Sequence, residues 1–316
     1  MESLTKNYKD EETLNKLVQK AFKDVYIDKV TELTEGYFNV AYLIALSNGN
    51  EVILKIAPPS SAKVMRYEKN IMKAEVEVMR LVRKNTKVPV PEILFYDDTH
   101  SICDSDYFFM TKLDGSSYSS IKDSLTEDER KVIEFKLGQY NRKINEITND
   151  RFGYFAQEGK QNTNWSETFY NFVSDLINDS IDIGTELPME SNNILSIVKS
   201  NLYICDDVLQ PKLVHWDLWD GNVFVDNGEI VGIIDFERAI WGDPLMEYYF
   251  SNLAFSAEFN SGYNPIKLDD KAKTRRILYN IYLFLVMTIE CDYRHNESGQ
   301  REWAKDMLKQ ELDKLL

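Results

Sequence analysis

The feature that most constrains this chain is a polar loop followed by a hairpin, within residues 214–235. An apolar segment leads into the loop, and two segments of strand composition follow, with Asp226-Asn227-Gly228 between them. Asn-Gly between two such segments is a strong signal for a two-residue hairpin turn. That turn would pair position 222 with position 233, so Asn222 and Asp235 are predicted at the same open end of the hairpin. Asp217 lies just upstream, in the loop.

Three oxygen-bearing side chains are thereby predicted to converge at the hairpin end. Two carboxylates at close range repel each other unless a proton or a cation lies between them. Carboxylate and amide oxygens together suit a hard cation such as Mg²⁺. The plainer alternative is a polar β-turn whose acidic residues serve no joint purpose.

The spacing His215-x-Asp217-x-x-x-x-Asn222, followed by Asp235 on the next strand, resembles the catalytic and metal loops of kinase-like phosphotransferases. A later segment, Trp241-Gly242-Asp243-Pro244-Leu245-Met246-Glu247, narrows the resemblance to the aminoglycoside phosphotransferase family. That family also holds kinases that act on other small molecules.

The resemblance implies an α+β, two-lobed, protein-kinase-like fold. Residues 1–113 would form a small antiparallel-sheet lobe that binds nucleotide and ends in the hinge. Residues 114–316 would form a larger, mostly helical lobe with the catalytic loop and the acceptor site. Strand patterns in the first part and helical patterns from residue 116 onward agree with this division.

The resemblance also implies the reaction, which is transfer of the γ-phosphoryl group of ATP or GTP to a hydroxyl of a small molecule. Asp217 would be the catalytic base. Asn222 and Asp235 would hold Mg²⁺ on the nucleotide phosphates. His215 would brace the loop through hydrogen bonds rather than shuttle protons.

Two charged residues lie in apolar patterns of the predicted small lobe. Lys55 is a cation within the strand pattern of residues 51–57, and Glu75 falls on the apolar stripe of the helix that follows. Each charge would be costly to bury without a partner, so the two are predicted to pair. The resemblance gives this pair the role of gripping the nucleotide phosphates. The alternative is a lysine that snorkels from an edge strand and a glutamate at the margin of its stripe.

Two backbone segments are nominated for nucleotide contact by the resemblance. Gly36 and Asn39 lie in a turn between two predicted strands, at the position of the family's phosphate-covering loop. An ordinary hairpin turn explains the single glycine about as well. Thr111 and Leu113 lie at the predicted hinge, where backbone groups would hydrogen-bond the nucleotide base.

Acidic residues of the large lobe are nominated to bind amino groups of the acceptor: Asp220, Glu237, Glu290 and Asp292. A solvated helix end explains Glu290 and Asp292 equally well. Gly242-Asp243-Pro244 predicts the start of a helix with Glu247 in its first turn. Asp243 is predicted to be structural and to hold the catalytic loop.

The net charge indicates which partners suit the chain, and the cysteine content indicates which compartment suits it. Lys plus Arg number 37 against 52 Asp plus Glu, a formal net charge of −15, which argues against nucleic acid or an anionic membrane as the main partner. The acidity is compatible with a cationic acceptor. Three scattered cysteines favour a reducing, cytoplasmic location. We expect a monomer or weak dimer with no membrane segment.

The acceptor stays open at this point. An aminoglycoside-type or other antibiotic, with the implied role in resistance, is the leading interpretation. A metabolic kinase of an amino alcohol, sugar or amino acid is the alternative on the same fold. A nucleotide-binding module without catalysis is a third, although the intact set of Lys55, Asp217, Asn222 and Asp235 speaks against it. A protein kinase is disfavoured because no segment resembles an activation loop between Asp235 and Pro244.

Overall fold

Alternating burial along the early strands explains why the first part of the chain folds as a sheet. In Val40–Leu46 every second side chain is buried, which gives the strand one core face. The computed structural model describes residues 5–34, 36, 38–264, 266, 268–294 and 298–316. The strands of the first sheet are β1 (Ile27–Leu33), β2 (Val40–Leu46), β3 (Glu51–Ile56), β4 (Ile93–Asp97) and β5 (Tyr107–Thr111), all antiparallel, in the order β1-β2-β3-β5-β4.

Two helices cover the two faces of this sheet. Helix α1 (Glu11–Ala21) begins at Asp10, whose side chain caps it, and packs its apolar stripe with Phe109. Helix α2 (Ile71–Asn85) packs with Phe108 on the other face. Neighbouring residues of a strand point to opposite faces, so β5 contributes to both cores.

The rest of the chain is mostly helical, which confirms the predicted α+β architecture. The main core of this part lies between the long helices and includes Trp165 and Phe284, both almost fully buried. No helix among the described residues is both long enough and apolar enough to span a bilayer. The elements are β6 (Ser116–Ser117), α3 (Tyr118–Ile121), α4 (Glu127–Asn145), β7 (Gly153–Tyr154), α5 (Trp165–Ile183), α6 (Ser191–Asn201), β8 (Lys212–Val214), β9 (Val223–Asp226), β10 (Glu229–Ile233), β11 (Ile240–Gly242), α7 (Ala257–Tyr263), α8 (Asp270–Arg294) and α9 (Ser298–Asp313).

Strand pairing changes just after β5. Strand β5 belongs to the first sheet, whereas β6 pairs with β9 in a separate sheet of order β10-β9-β6. Gly115 joins the two regions with φ +81°, and a Cβ there would lie 2.2 Å from the carbonyl oxygen of Val225. Only glycine fits both the conformation and the close approach. On this basis we propose the lobe boundary between residues 113 and 114.

The central hairpin differs from its predicted register by one residue. Asp226 pairs with Glu229 as expected, but the register shifts between Ile230 and Gly232. The backbone N–H of Ile234, not residue 233, therefore bonds the carbonyl of Asn222, at 3.0 Å. The predicted pairing of 222 with 233 was wrong because a β-bulge inserts one residue, which no turn signal reveals. Asn222 and Asp235 still lie at the same end.

The helix predicted after Pro244 is not an α-helix. Two short 3₁₀ turns form instead, Pro244–Met246 and Tyr248–Phe250, with Glu247 in extended conformation between them. Asp243 caps the first turn through Leu245 N–H at 3.0 Å and also binds Arg275 of α8 at 3.0 Å. Asp243 is thus structural, as predicted, but it binds α8 rather than the catalytic loop.

Glu247 performs the bracing expected of Asp243. Its buried carboxylate accepts hydrogen bonds from the backbone N–H groups of His215 at 3.0 Å and Trp216 at 3.1 Å. The side-chain amides of Asn141 and Asn145 on α4 donate to it as well, each at 2.8 Å. Trp216 has φ +68°, a region that bulky residues rarely adopt. The four donors of Glu247 therefore fix a strained loop.

We expect Glu247→Gln to lower the free energy of unfolding by about 1–3 kcal/mol. The side-chain NH₂ of glutamine is a donor, and it would face N–H groups that now donate to the carboxylate. Urea denaturation measures the change. Glu229→Gln is the matched control, since Glu229 is exposed on β10, and should change stability by less than about 0.5 kcal/mol. Equal stability of the two variants would contradict the bracing role.

Candidate active site

The predicted pair of Lys55 and Glu75 is present. Lys55 projects from β3 and Glu75 from α2, with Lys55 Nζ 2.8 and 3.0 Å from the two carboxylate oxygens. Lys55 is 8% exposed and Glu75 is fully buried. Burial opposes the charge of Lys55, but the carboxylates of Asp235 and Glu75 outweigh it and raise the pKa of Lys55 above its usual value. The ammonium is therefore charged at neutral pH.

The large lobe adds two carboxyl groups to this pair. Asp235 follows β10 in left-handed backbone conformation, with φ +64°, and hydrogen-bonds Lys55 directly. Glu237, which was nominated for the acceptor, lies here, so that oxygens of Glu75, Asp235 and Glu237 are within 4.8 Å of one another. We call these three residues with Lys55 the carboxylate cluster.

Of the two residues predicted to cover the phosphates, Asn39 contacts the carboxylate cluster. Its side-chain amide donates to Glu237 at 2.7 Å, across the two lobes. Asn39 is 7% exposed. Gly36 has its carbonyl oxygen 2.5 Å from Lys6 Nζ. The structure therefore brings Asn39 to the cluster and connects Gly36 to Lys6.

The donor set at the carboxylate cluster fits a hard divalent cation. Oxygens of three carboxyl groups lie together there, and Asn222 lies at the same end of the hairpin as Asp235, since its carbonyl accepts from the N–H of Ile234. The Asn222 amide nitrogen donates to the Asp217 carbonyl at 2.8 Å, which leaves its Oδ1 as the ligand atom. Oxygen-only ligands of this kind suit Mg²⁺.

Asp217 lies in the loop between β8 and β9, with 30% of its side chain exposed. Burial of the carboxyl group raises its pKa to about 7, and neighbouring Asp235 adds to the shift while Arg238 opposes it. A carboxyl group with a pKa near neutrality accepts a proton more readily than an ordinary aspartate.

His215 cannot act as a proton carrier here. The side chain is fully buried, and burial lowers its pKa to about 4. Its Nε2 lies 2.9 Å from the carbonyl of Ile234, which can only accept, so the neutral ring carries its proton on Nε2. The bracing role expected from the sequence agrees with this geometry.

Arg238 is a site residue that the sequence reasoning missed. Its Nε lies 3.9 Å from Asp217 Oδ2 and has no hydrogen-bond partner in the described part of the chain. The same side chain binds Glu290 at 2.6 Å, and its guanidinium lies 5.6 Å from the ring centre of Trp216. The only available signal was its place three residues after Asp235.

At the predicted hinge, part of the backbone is already engaged. The N–H of Thr111 donates to the carbonyl of Glu92 at 3.0 Å. A nucleotide base could therefore meet only the carbonyl of Thr111, not its N–H. Leu113 packs its side chain on Gly232, where a Cβ would lie 2.2 Å from Leu113 Cδ1.

The other acids nominated for the acceptor all have internal partners. Asp220 binds Lys122 at 2.8 Å and also accepts from Tyr249. Glu290 pairs with Arg238 and Arg294, which holds its pKa below the usual range against the effect of burial. Asp292 pairs with Arg301 at 2.9 Å and accepts from Thr185 at 2.7 Å. An acceptor amine would have to displace one of these partners.

A cavity of about 410 Å³ adjoins the catalytic loop. Trp219 and Asp220 of the loop line it together with Tyr248 and residues 253–258. Trp219 is 41% exposed although it lies only two residues from Asp217. Trp219 thus gives the cavity an exposed aromatic wall close in sequence to the candidate base, which does not itself line the cavity.

Comparison with known proteins agrees with this geometry. The Phosphotransferase enzyme family matches residues 29–270. A probable ketoamine kinase of Vibrio cholerae is 26% identical over 227 residues, which cover 66% of this chain and 71% of the relative. A subtelomeric hrmA-associated cluster protein of Aspergillus fumigatus is 34% identical over 120 residues, 38% of this chain, and that match spans only 23% of the fungal protein.

Solved structures share the fold. Apo aminoglycoside phosphotransferase APH(4)-Ia, as a thermostable mutant, superposes with a TM-score of 0.68 at 18% identity, covering 96% of this chain and 99% of that one. A further substituted variant of that thermostable mutant has been crystallised with ADP and hygromycin B. A GDP complex of an aminoglycoside 2′-phosphotransferase-IIIa mutant gives a TM-score of 0.67 at 16% identity, covering 96% and 98% of the two chains. The two-lobed kinase-like architecture and the resemblance drawn from the motifs are confirmed, and the chain belongs to the Phosphotransferase enzyme family.

Proposed function

We propose that this protein is a small-molecule kinase that transfers the γ-phosphoryl group of a nucleoside triphosphate to an acceptor hydroxyl. The observation that carries the proposal is that Asn222 hydrogen-bonds the backbone of both Asp217 and Ile234, which places the loop of Asp217 next to Asp235 of the carboxylate cluster. Lys55, oriented by Glu75, neutralises phosphate charge. Asn222 Oδ1 and Asp235 would hold Mg²⁺, which screens charge on the transferred group.

Asp217 supplies the proton chemistry. The acceptor hydroxyl donates its proton to the Asp217 carboxylate as its oxygen attacks the γ-phosphorus, and the nucleoside diphosphate leaves. The raised pKa of Asp217 suits a general base at neutral pH. Arg238 keeps the carboxylate ionised, and Glu247 holds the loop that carries it.

The acceptor is proposed to bind in the cavity beside Trp219. A flat aromatic wall suits the face of a sugar-like ring, which would bring a ring hydroxyl toward Asp217. An aminoglycoside is the first class to test, and its phosphorylation would make this a resistance enzyme. A ketoamine is the second class. The Vibrio relative favours it, and so does the internal pairing of the nominated acids, which leaves few free carboxylates for a polyamine.

Turnover assays with ATP and with GTP, across aminoglycosides, ketoamines, choline-like alcohols and free sugars, test the function. Product formation with one class and either nucleotide supports the kinase proposal. Nucleotide binding without turnover on any acceptor would instead favour a non-catalytic nucleotide-binding module.

Asp217→Asn should lower kcat by about 10²- to 10⁴-fold, the usual contribution of a positioned general base. Nucleotide affinity should change little, since Asp217 is not among the proposed phosphate or metal ligands. Steady-state kinetics and calorimetric nucleotide titration measure the two effects separately. A variant that turns over at the wild-type rate would exclude Asp217 as the base.

The pH profile should report the Asp217 pKa. Below about pH 7, kcat/KM for the acceptor should fall about tenfold per pH unit, because only the ionised carboxylate accepts a proton. Arg238 lowers the pKa of Asp217, so Arg238→Met should move the midpoint to higher pH. Arg301→Met removes an arginine that pairs with Asp292 instead and should leave the midpoint in place. A midpoint unmoved by Arg238→Met, in a variant with native circular dichroism, would contradict this assignment.

A further inference from the structure

The segment before the first helix reaches the phosphate-covering turn. Lys6 Nζ donates to the carbonyl oxygens of Gly36 at 2.5 Å and of Asn39 at 2.7 Å. These two residues lie between β1 and β2, and the Asn39 side chain bonds Glu237 of the carboxylate cluster. One ammonium thus joins Gly36 to Asn39, from a part of the chain that no motif had singled out.

The charge of Lys6 is directed at these carbonyls and not at an acid. Lys6 forms no ion pair with any residue that the structure describes. Burial lowers the pKa of Lys6. The negative charge of Glu32 on β1 partly opposes this shift. The charge-assisted hydrogen bonds to two carbonyls replace the interactions with water that the ammonium loses on partial burial.

The rest of the segment fixes the position of Lys6. The Asn7 side chain is 8% exposed and donates to Ser105 Oγ at 2.7 Å and to the carbonyl of Ala57 at 3.1 Å. The N–H of Lys9 donates to the hydroxyl of Tyr42 at 3.3 Å. The segment that follows Lys6 is therefore attached to the small lobe at Asn7 and at Lys9.

The turn is held from its other side by the large lobe. The Asn39 side chain donates to Glu237 at 2.7 Å, and Glu237 lies beside Asp235 in the carboxylate cluster. Asn39 is therefore held through its backbone carbonyl by Lys6 and through its side chain by Glu237. These two contacts fix the distance between Asn39 and the position proposed for the phosphates.

We propose that Lys6 is a positioning residue for the nucleotide phosphates. It occupies the carbonyl oxygens of Gly36 and Asn39 with its ammonium. A carbonyl oxygen turned toward a phosphate would repel it, so holding these two groups on Lys6 preserves phosphate binding. This inference rests on the proposed function, because it requires the cleft to bind a nucleoside triphosphate.

Calorimetry with two ligands tests the role. The wild type is titrated with Mg²⁺ and ATP or GTP, whichever binds, and with the matching nucleoside that lacks phosphates. Lys6→Met should weaken triphosphate binding about tenfold, since charge-assisted hydrogen bonds are lost, while nucleoside binding changes less than about twofold. Lys6→Arg, which keeps the charge, should recover most of the affinity. Lys16→Met on α1 is the control, because within the described part of the chain Lys16 forms its ion pair with the exposed Glu12.

Several results of these titrations would overturn the positioning role of Lys6. Wild-type affinity of Lys6→Met for the triphosphate would overturn the proposal. Equal weakening of triphosphate and nucleoside, or no recovery in Lys6→Arg, would also overturn it, because the lysine would then support only the lobe as a whole. Failure of the wild type to bind either triphosphate is a separate result that contradicts the proposed function itself.

Discussion

The buried ammonium of Lys55 is the constraint on which the site depends. A charge with 8% exposure is tolerated only with close partners, and removal of one partner leaves a costly unpaired charge. Its partners come from α2 and from the segment after β10, so the two lobes must close on each other to satisfy it. The same closure brings oxygens of three carboxyl groups within 4.8 Å of one another. That set of oxygen ligands is what suits the site to a divalent cation.

Two strained residues lie beside this cluster. Trp216 and Asp235 both have positive φ, at +68° and +64°, a conformation that costs about 1–3 kcal/mol in non-glycine residues. The loop keeps this geometry because its N–H groups bind Glu247 and because His215 bonds the carbonyl of Ile234. Within this region Asn222 bonds the backbone of Asp217 and of Ile234, which keeps Asp217 and Asp235 close together. The four hydrogen bonds to Glu247 are thus a condition for the chemistry proposed above.

Local sequence patterns predicted much of this architecture. The strand patterns in the first part of the chain, the helical patterns from residue 116 onward and the Asn-Gly turn each depend on neighbouring residues, and each has its expected structure. The pairing of Lys55 with Glu75 was also predictable, because each charge interrupts an apolar pattern and needs a partner. The fold class followed from the motif spacing around Asp217.

Long-range contacts could not be predicted in this way. The bulge before Gly232 depends on how the hairpin packs on residues 88–90 and 113, so turn chemistry alone gave the wrong register. Glu290 matched a pattern for an acceptor ligand, but its arginine partner Arg238 is distant in sequence. Lys6 precedes the first helix and belongs to no periodic pattern that would have singled it out. Such pairings follow from tertiary packing, which one sequence does not show.

The most direct test of the central claim is electron paramagnetic resonance of Mn²⁺, used in place of Mg²⁺, with a non-hydrolysable nucleoside triphosphate. The wild type should bind Mn²⁺ together with the nucleotide, and Asp235→Ala should lose that bound metal. Asp292→Asn, which alters a carboxylate paired with Arg301, should bind like the wild type. Equal Mn²⁺ binding by the wild type and Asp235→Ala would contradict the account.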